Sequence, residues 1–455
     1  MRNILTSYDP GNGEVIGKVT ITNKAEIHSI VEKARTAQSF WGGIKIDERI
    51  GYIDKAAKIL AKNAQELGRL ISREMGKNLN RGIGEAQGCA YDAVYRAEAA
   101  KEALLTKVIQ SGGQTTHIEY NPLGICAVIT PWNYPMSMGH WMIIPALTAG
   151  NTIVLKPSEE TPMTAQAYAD IFNQVLPEGV LQVVHGADEQ GQILVESDVN
   201  LIAFTGSLAV GKDIMGRAAK SLKRLVMELG GKDPLIVLED ADIDQAARFA
   251  VASSFENSGQ MCVSTERVFV DEGIADEFEK KVVRYASMYR IGTWNDPNAQ
   301  IGPMINTKQR QKIISQLEEA IKKGAVPLLG GTAHPERFVL PTVLTNVSSS
   351  MKIALDETFG PVVSITRYKD LEAAVREANS SDFGLGAVVF GHKKAWKTAQ
   401  KMEAGMVGIN QGVGGLGDTP WVGSKQSGYG YHGSPDGHRQ FAQVRVMSFP
   451  SNLSR

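Results

Sequence analysis

A chain of 455 residues is too long for one small hydrophobic core and points to two or three domains of about 100–200 residues each. Its 48 Lys and Arg nearly balance 49 Asp and Glu, leaving a net charge of −1 and no electrostatic footprint for nucleic acid or an anionic membrane as partner. The three cysteines, Cys89, Cys126 and Cys262, are far apart with no C-x-x-C pair, and the eight His form no H-x-x-x-H pair, so neither a disulfide framework nor a metal is expected.

The first ten residues, through Tyr8-Asp9-Pro10, hold no apolar signal core, and with the cysteine usage this places the chain in a reducing cytoplasm. Ile27, Ile30, Val31 and Ala34 then recur at helical spacing. Ile50, Ile53, Ala57, Leu60, Ala64, Leu67 and Ile71 extend that period into a long amphipathic helix closed by Gly76. Residues 115–120 alternate weakly, as a strand would. Between Ile125 and Leu155 there is no charged residue, but Pro131, Pro135 and Pro145, with Asn133, Gly139 and Gly150, cut the stretch into pieces too short to span a bilayer. Apolar runs at 125–130, 152–155, 181–185, 201–204 and 235–238 read as strands, with helical patterns at 161–174, 186–197 and 208–222 between several of them. Near-continuous apolar strands joined by helices predict an α/β fold whose parallel sheet is covered on both faces, with a ligand beyond its carboxyl ends.

The motifs follow those strands. Pro131-Trp132-Asn133-Tyr134-Pro135 comes after the first, and Lys156-Pro157-Ser158-Glu159 after the second. Thr205-Gly206-Ser207 opens a helix after the fourth. A Gly-Ser turn at a helix start offers free N–H groups and a positive dipole end to a phosphate, although such turns often serve only as caps. Lys156 with Glu159 has the parts to grip vicinal hydroxyls, or is a plain helix-start pair. Further on, Asn257-Ser258-Gly259-Gln260-Met261-Cys262 holds a cysteine after a turn, and Glu228-Leu229-Gly230-Gly231 holds a carboxylate before a glycine pair. A thiol with a reference pKa of about 8.5 is the best nucleophile near neutral pH, and a carboxylate can activate water against the thioester it forms. The alternatives are a buried inert Cys and a surface Glu.

Taken in order, these motifs resemble those of the NAD(P)-dependent aldehyde dehydrogenases. Glu357-Thr358-Phe359-Gly360-Pro361-Val362, Glu74-Met75-Gly76-Lys77 and Lys425-Gln426-Ser427-Gly428-Tyr429-Gly430 extend the likeness over the whole chain. The resemblance implies a Rossmann-like cofactor-binding domain (1–103 and 123–231), an α/β catalytic domain (232–430) and a small β oligomerisation arm (104–122 and 431–455, including 443–449). It implies a homodimer or a homotetramer. It also assigns roles. Cys262 would attack the aldehyde carbon, Asn133 would stabilise the oxyanion, and Glu228 would activate water to hydrolyse the thioester. Relatives that pass the acyl group to coenzyme A lack that glutamate. Glu357 would hold the nicotinamide ribose and Phe359 would pack near the ring. Thr130, Pro131, Trp132, Lys156, Ser158, Glu159, Gly206, Ser207 and Leu229 would line the rest of the cofactor cleft. Glu159 favours NAD, because a carboxylate repels a 2′-phosphate, with NADP as the second choice.

For the small-molecule aldehyde substrate, the general likeness is to succinate-semialdehyde dehydrogenases. Members of that group commonly carry an Arg on the helix after the Asn loop, where this chain has Trp141. Tyr134, Met138, Trp141 and Trp421 would then form an aromatic, apolar tunnel suited to uncharged aliphatic or aromatic aldehydes, unless a cation such as His140 meets a carboxylate. Around the nucleophile, Met261-Cys262-Val263 offers no neighbouring thiol, and Trp421-Val422-Gly423-Ser424 departs from the family's usual Phe-Gly-Gly. A protein that keeps this fold without turnover is the rival from another class.

Overall fold

In the computed structural model, which describes residues 3–453, the five apolar runs are all strands: Ile125–Ile129, Thr152–Lys156, Leu181–Val183, Leu201–Thr205 and Asp233–Val237. The first four belong to one sheet. Among the described residues its order is Gly428–Tyr429, Arg224–Glu228, Leu201–Thr205, Ile125–Ile129, Thr152–Lys156, Leu181–Val183. Every neighbour is parallel except Gly428–Tyr429, which runs antiparallel to Arg224–Glu228. Side chains alternate between its two faces, as a pleated strand requires. Ile125, Ala127 and Ile129 pack with helices Lys24–Gly43, Asp188–Glu196 and Leu208–Ala218. Cys126 and Val128 pack with Ile46–Met75, Ser137–Thr148 and Pro162–Asn173 on the other face.

The long helix Ile46–Met75 buries the predicted stripe and ends at Gly76, whose left-handed φ of 87° caps it. Helix Leu79–Ala103 turns back along it, and periodicity had not revealed this element. Its buried positions are mostly alanine (Ala86, Ala93, Ala97, Ala100), which give almost no hydrophobic contrast. Two glycines let the pair touch. A Cβ on Gly68 would lie 2.4 Å from the Ile83 Cα, and one on Gly82 would lie 2.2 Å from the Ser72 hydroxyl. A helical glycine costs about 1 kcal/mol against alanine. Burying Ile53, Leu60 and Ile71 completely, at about 1.5–3 kcal/mol each, outweighs that cost.

The second sheet has the order Val326–Leu329, Thr342–Thr345, Val362–Tyr368, Thr265–Asp271, Asp233–Val237, Gly386–Phe390, Met406–Ile409 among the described residues, and is parallel apart from its first edge strand. Only residues 229–232 separate Arg224–Glu228 of the first sheet from Asp233–Val237 of the second. The carboxyl ends of one sheet therefore face the amino ends of the other. Gly428 pairs with Glu228, so residues 428–429 add an antiparallel edge to the first sheet. Strands Lys107–Ser111, Gln114–Pro122 and Ala442–Pro450 make an antiparallel ribbon in which Thr115 sits opposite Phe449. The helix expected over 208–222 stops at Ala218, followed by a tight turn over Ala219–Ser221 with Leu222 left-handed at φ 50°.

Asn151 ties the ribbon to the first sheet. Its buried amide accepts from Leu123 N (2.7 Å) and Gly124 N (3.0 Å) and donates to Ala146 O (3.1 Å) and Phe441 O (2.7 Å). Asn151→Ala strands buried donors and acceptors, each worth about 1–3 kcal/mol. We expect urea unfolding to begin at clearly lower concentration, with a loss of about 3 kcal/mol or more; a change below about 1 kcal/mol would show that water replaces the amide.

Candidate active site

Cys262 lies just before strand Thr265–Asp271, and Glu228 is the last residue of Arg224–Glu228. The junction between the sheets brings them together: the Cys262 thiol donates to Glu228 Oε1 at 3.0 Å. The same oxygen accepts the Trp421 indole N–H at 2.8 Å, and Thr205 Oγ1 donates to Oε2 at 3.4 Å. Burial raises the Glu228 pKa against the pull of these three donors. Burial and then the adjacent carboxylate push the Cys262 thiol well above its usual range. In this arrangement the proton stays on sulfur, with its acceptor already in contact.

The turn before Cys262 is built from left-handed backbone: Asn257 has φ 52°, Ser258 φ 60° and Gly259 φ 72°. At Gly259 only hydrogen fits, because a Cβ would fall 2.1 Å from the backbone of Gly360. Hydrogen bonds hold the strained residues. Ser258 Oγ accepts from Gly302 N at 2.8 Å, Gln260 Oε1 accepts from Ile305 N at 3.0 Å, and Asn257 Nδ2 donates to Asn133 O (3.1 Å) and Gln260 O (3.0 Å). Asn133 is buried in the same cavity as Cys262, and its Nδ2 donates to Gln260 O at 3.1 Å. An amide nitrogen carries two hydrogens, so this bond orients the side chain and leaves a second donor.

That cavity, of about 200 Å³, is lined on its first-sheet side by Pro131, Trp132, Thr205, Gly206, Ser207 and Leu229. From the second unit come Glu357, Phe359, Gln309 and Lys312. Glu357 accepts from Gly231 N at 3.3 Å, and its carboxyl is pushed up to about 7, first by burial and then by the nearby Glu266 charge. The turn that carries it rests on a buried pair. Lys232 Nζ donates to Glu266 Oε2 at 2.6 Å, and Glu266 accepts from Thr358 N (2.7 Å) and Phe359 N (2.8 Å). Gln309 Nε2 donates to the Thr358 and Phe359 carbonyls at 3.0 and 2.9 Å. Phe359 meets the Trp132 ring edge-on, with centroids 5.5 Å apart.

A second cavity, of about 290 Å³, is lined by Lys156 at its strand end, by Asp188 and Gly191, and by Val210, Asp213 and Arg217 of the helix that Ser207 caps. Lys156 is buried, its pKa lowered by desolvation and opposed by Glu159 and Asp188, and its Nζ donates to Pro157 O at 3.0 Å. Ser158 Oγ accepts from Glu160 N at 3.2 Å, which makes it a turn cap, and Glu159 is half-buried. Thr130 Oγ1 is buried without a partner among the described residues. A pocket with a lysine and a helix start in its lining suits a dinucleotide.

On the other side of Cys262, Met138 lines the reactive cavity and Tyr134 Oη donates to the Met261 sulfur at 3.8 Å. Trp141 and Trp421 have ring centroids 5.9 Å apart. Trp421 is therefore more than an apolar wall, since its N–H is bonded to Glu228. His140 is not available as a cation: it is fully buried, bonded through Nδ1 to Tyr168 Oη at 2.9 Å and pushed down to about 3 by desolvation. Thr205, Gln260, Asn257 and the Lys232–Glu266 pair are supporting groups that sequence reasoning missed. Thr205, Asn257 and Gln260 stand inside the motifs, but nothing in a spacing says which of their atoms point inward.

The model of the Aldehyde dehydrogenase family matches residues 2–447. A Sinorhizobium fredii protein described as a probable succinate-semialdehyde dehydrogenase [NADP(+)] is 36% identical, over 98% of this chain and 93% of its own. The mitochondrial succinate-semialdehyde dehydrogenase of Rattus norvegicus is also 36% identical, over 97% of this chain and 87% of its own. The crystal structure of succinate-semialdehyde dehydrogenase from Burkholderia pseudomallei superposes with a TM-score of 0.95 at 35% identity, over 98% of this chain and 95% of that one. With a family match along almost its entire length and full-length relatives in sequence and in structure, this chain belongs to the aldehyde dehydrogenase family of oxidoreductases.

Proposed function

We propose that the chain oxidises an aldehyde to its carboxylic acid with NAD(P)+ through an acyl thioester on Cys262. The observation that carries this reading is the contact of Cys262 Sγ with Glu228 Oε1 at 3.0 Å, in one cavity with the Asn133 amide. Glu228 takes the thiol proton as sulfur bonds to the aldehyde carbon. The negative charge that develops on the aldehyde oxygen is met by the free N–H of Asn133, a donor whose loss typically costs about 10²–10³ in rate. When bound, NAD(P)+ supplies the acceptor for the hydride lost from that carbon. Lys156, Glu159, Ser207, Glu357 and Phe359 would hold it. Glu228 then gives that proton up to solvent, takes another from the water whose oxygen attacks the acyl carbon, and passes it to the sulfur as the acyl–sulfur bond breaks, so that the acid leaves with the Cys262 thiol restored. With Sγ at hydrogen-bond distance there is no room for water between the groups, so the carboxylate withdraws before hydrolysis.

Glu159 beside Lys156 supports NAD over NADP, while the Sinorhizobium fredii relative is described with NADP(+). The named relatives favour a semialdehyde such as succinate semialdehyde, whereas Trp141, Trp421 and Met138 favour an uncharged aldehyde. The ribbon exposes Val108, Ile109, Val444, Val446 and Met447, a sheet that supports pairing into a homodimer or a dimer of dimers. Three free cysteines support a cytoplasmic setting.

Cys262→Ala should lower turnover by at least about 10³ while NAD still binds, as measured by NADH absorbance and cofactor fluorescence; a smaller loss would remove Cys262 from the covalent role. Because Glu228 both takes the thiol proton and activates water, Glu228→Gln should form its first equivalent of NADH per site more slowly than wild type and then turn over more slowly still. A folded, NAD-binding variant with a full burst at the wild-type rate would instead confine Glu228 to hydrolysis. Glu159→Ser should raise kcat/KM for NADP relative to NAD, and wild-type enzyme that already prefers NADP would refute the repulsion argument.

A further inference from the structure

The segment that departs from the family's Phe-Gly-Gly puts a donor where phenylalanine has none. Trp421 Nε1 donates to Glu228 Oε1 at 2.8 Å, and the Cys262 thiol donates to the same oxygen at 3.0 Å. The indole is itself held. The Trp421 backbone N–H donates to His432 O at 2.9 Å, its ring meets that of Trp141 with centroids 5.9 Å apart, and it packs with Met261 and Cys262 against Val263, Leu385 and Met406. Its N–H therefore points to a fixed place. Glu228 has flexible side-chain torsions, and its carboxylate faces only the Cys262 thiol, Trp421 and Thr205. The Thr205 bond, at 3.4 Å to the other oxygen, is long for a hydroxyl donor, so the indole supplies the firmer hold. On the thiol side, Asp233 and Glu357 add to the upward push that burial and Glu228 exert on Cys262.

We propose that Trp421 is a positioning residue for thiol activation: its indole N–H holds Glu228 Oε1 against Cys262, in place to receive the proton as the S–H bond breaks. This rests on the dehydrogenase reading above. A donor bound to a carboxylate favours its charged form, so the same bond keeps Glu228 a base at lower pH than burial alone would allow. A phenylalanine ring at this position would fill much of the space but leave Oε1 without that donor, free to turn away from the sulfur. The bond also opposes hydrolysis, because the carboxylate has to leave the indole when it withdraws from Sγ.

The test uses Trp421→Phe in the full-length protein and follows alkylation of Cys262 by iodoacetamide against pH, located by peptide mass, a readout that needs neither aldehyde nor NAD. Losing the donor raises the Glu228 pKa, so the acid limb of the rate profile should move up by about one pH unit, with alkylation about tenfold slower below it. Formation of the first equivalent of NADH should show the same displacement. The control is the same change in a Glu228→Gln background, where no carboxylate is left to hold and no further displacement is expected. Glu357, pushed up to about 7 and acting on Cys262, is present in both backgrounds and cancels in the comparison. An unmoved limb in Trp421→Phe would overturn the proposal. So would an equal slowing in the Glu228→Gln background, by showing that the ring acts through its shape alone. Should Trp421→Phe fail to fold, the wild-type protein decides. With its six indoles labelled with nitrogen-15, one N–H resonance should move with pH in wild type and stay fixed in Glu228→Gln, and the lack of any such resonance would count against the bond. Absence of NADH with every aldehyde would defeat the dehydrogenase reading, while the alkylation profile still decides the role of Trp421.

Discussion

One carboxylate oxygen organises the centre of this molecule. Glu228 Oε1 takes a hydrogen bond from the Cys262 thiol and another from the Trp421 indole, while Oε2 takes the Thr205 hydroxyl. Each donor arrives from a different part of the chain: the turn before a second-sheet strand, the C-terminal loop, and the neighbouring first-sheet strand. A buried carboxylate is costly unless its oxygens are satisfied. The arrangement of both sheets about Glu228 can be read as the means of satisfying it.

The junction has a second anchor a few residues on. After the chain leaves Glu228 it passes Gly230, where a Cβ would sit 2.5 Å from a Glu357 oxygen, and reaches Lys232, which is buried against Glu266. Glu266 spends its remaining capacity on the backbone N–H groups of Thr358 and Phe359. The four-residue link therefore fixes the Glu357 turn as well as the Glu228 position. Lys232 does not act as an isolated charge: removing either partner would leave an uncompensated ion in a dry interior, which costs far more than the pair contributes.

How much of this was legible beforehand depended on the kind of signal. Strands such as 125–129 and 201–205 announce themselves because both faces are buried and every residue is apolar. The helix through Ile53, Leu60 and Ile71 does so through its period and its closing Gly76. Helix Leu79–Ala103 was illegible for the opposite reason: alanine stripes and the glycines that let it approach its partner erase the contrast on which periodicity depends. The site split along the same line. Cys262, Glu228 and Asn133 stand in local motifs, so their proximity could be anticipated from resemblance. Trp421 shows the intermediate case, its bulk predictable and its hydrogen bond to Glu228 not.

The opposed sheets also explain how two different molecules can reach one sulfur atom. A strand end that presents its carboxyl terminus is followed by loops and helix starts, rich in free N–H groups and suited to phosphate. Ser207 and the Lys156 strand end are of this kind. The amino ends of the second sheet instead follow tight turns, strained at Asn257, Ser258 and Phe359, which hold single side chains rigidly at φ values that would be unstable without support. Cys262 sits between the two, in the cavity with Ser207 and Phe359 and bonded to the Glu228 that Trp421 also holds. The Cys262 thiol is thus placed by the rigid edge of one sheet at the mouth of the loops of the other.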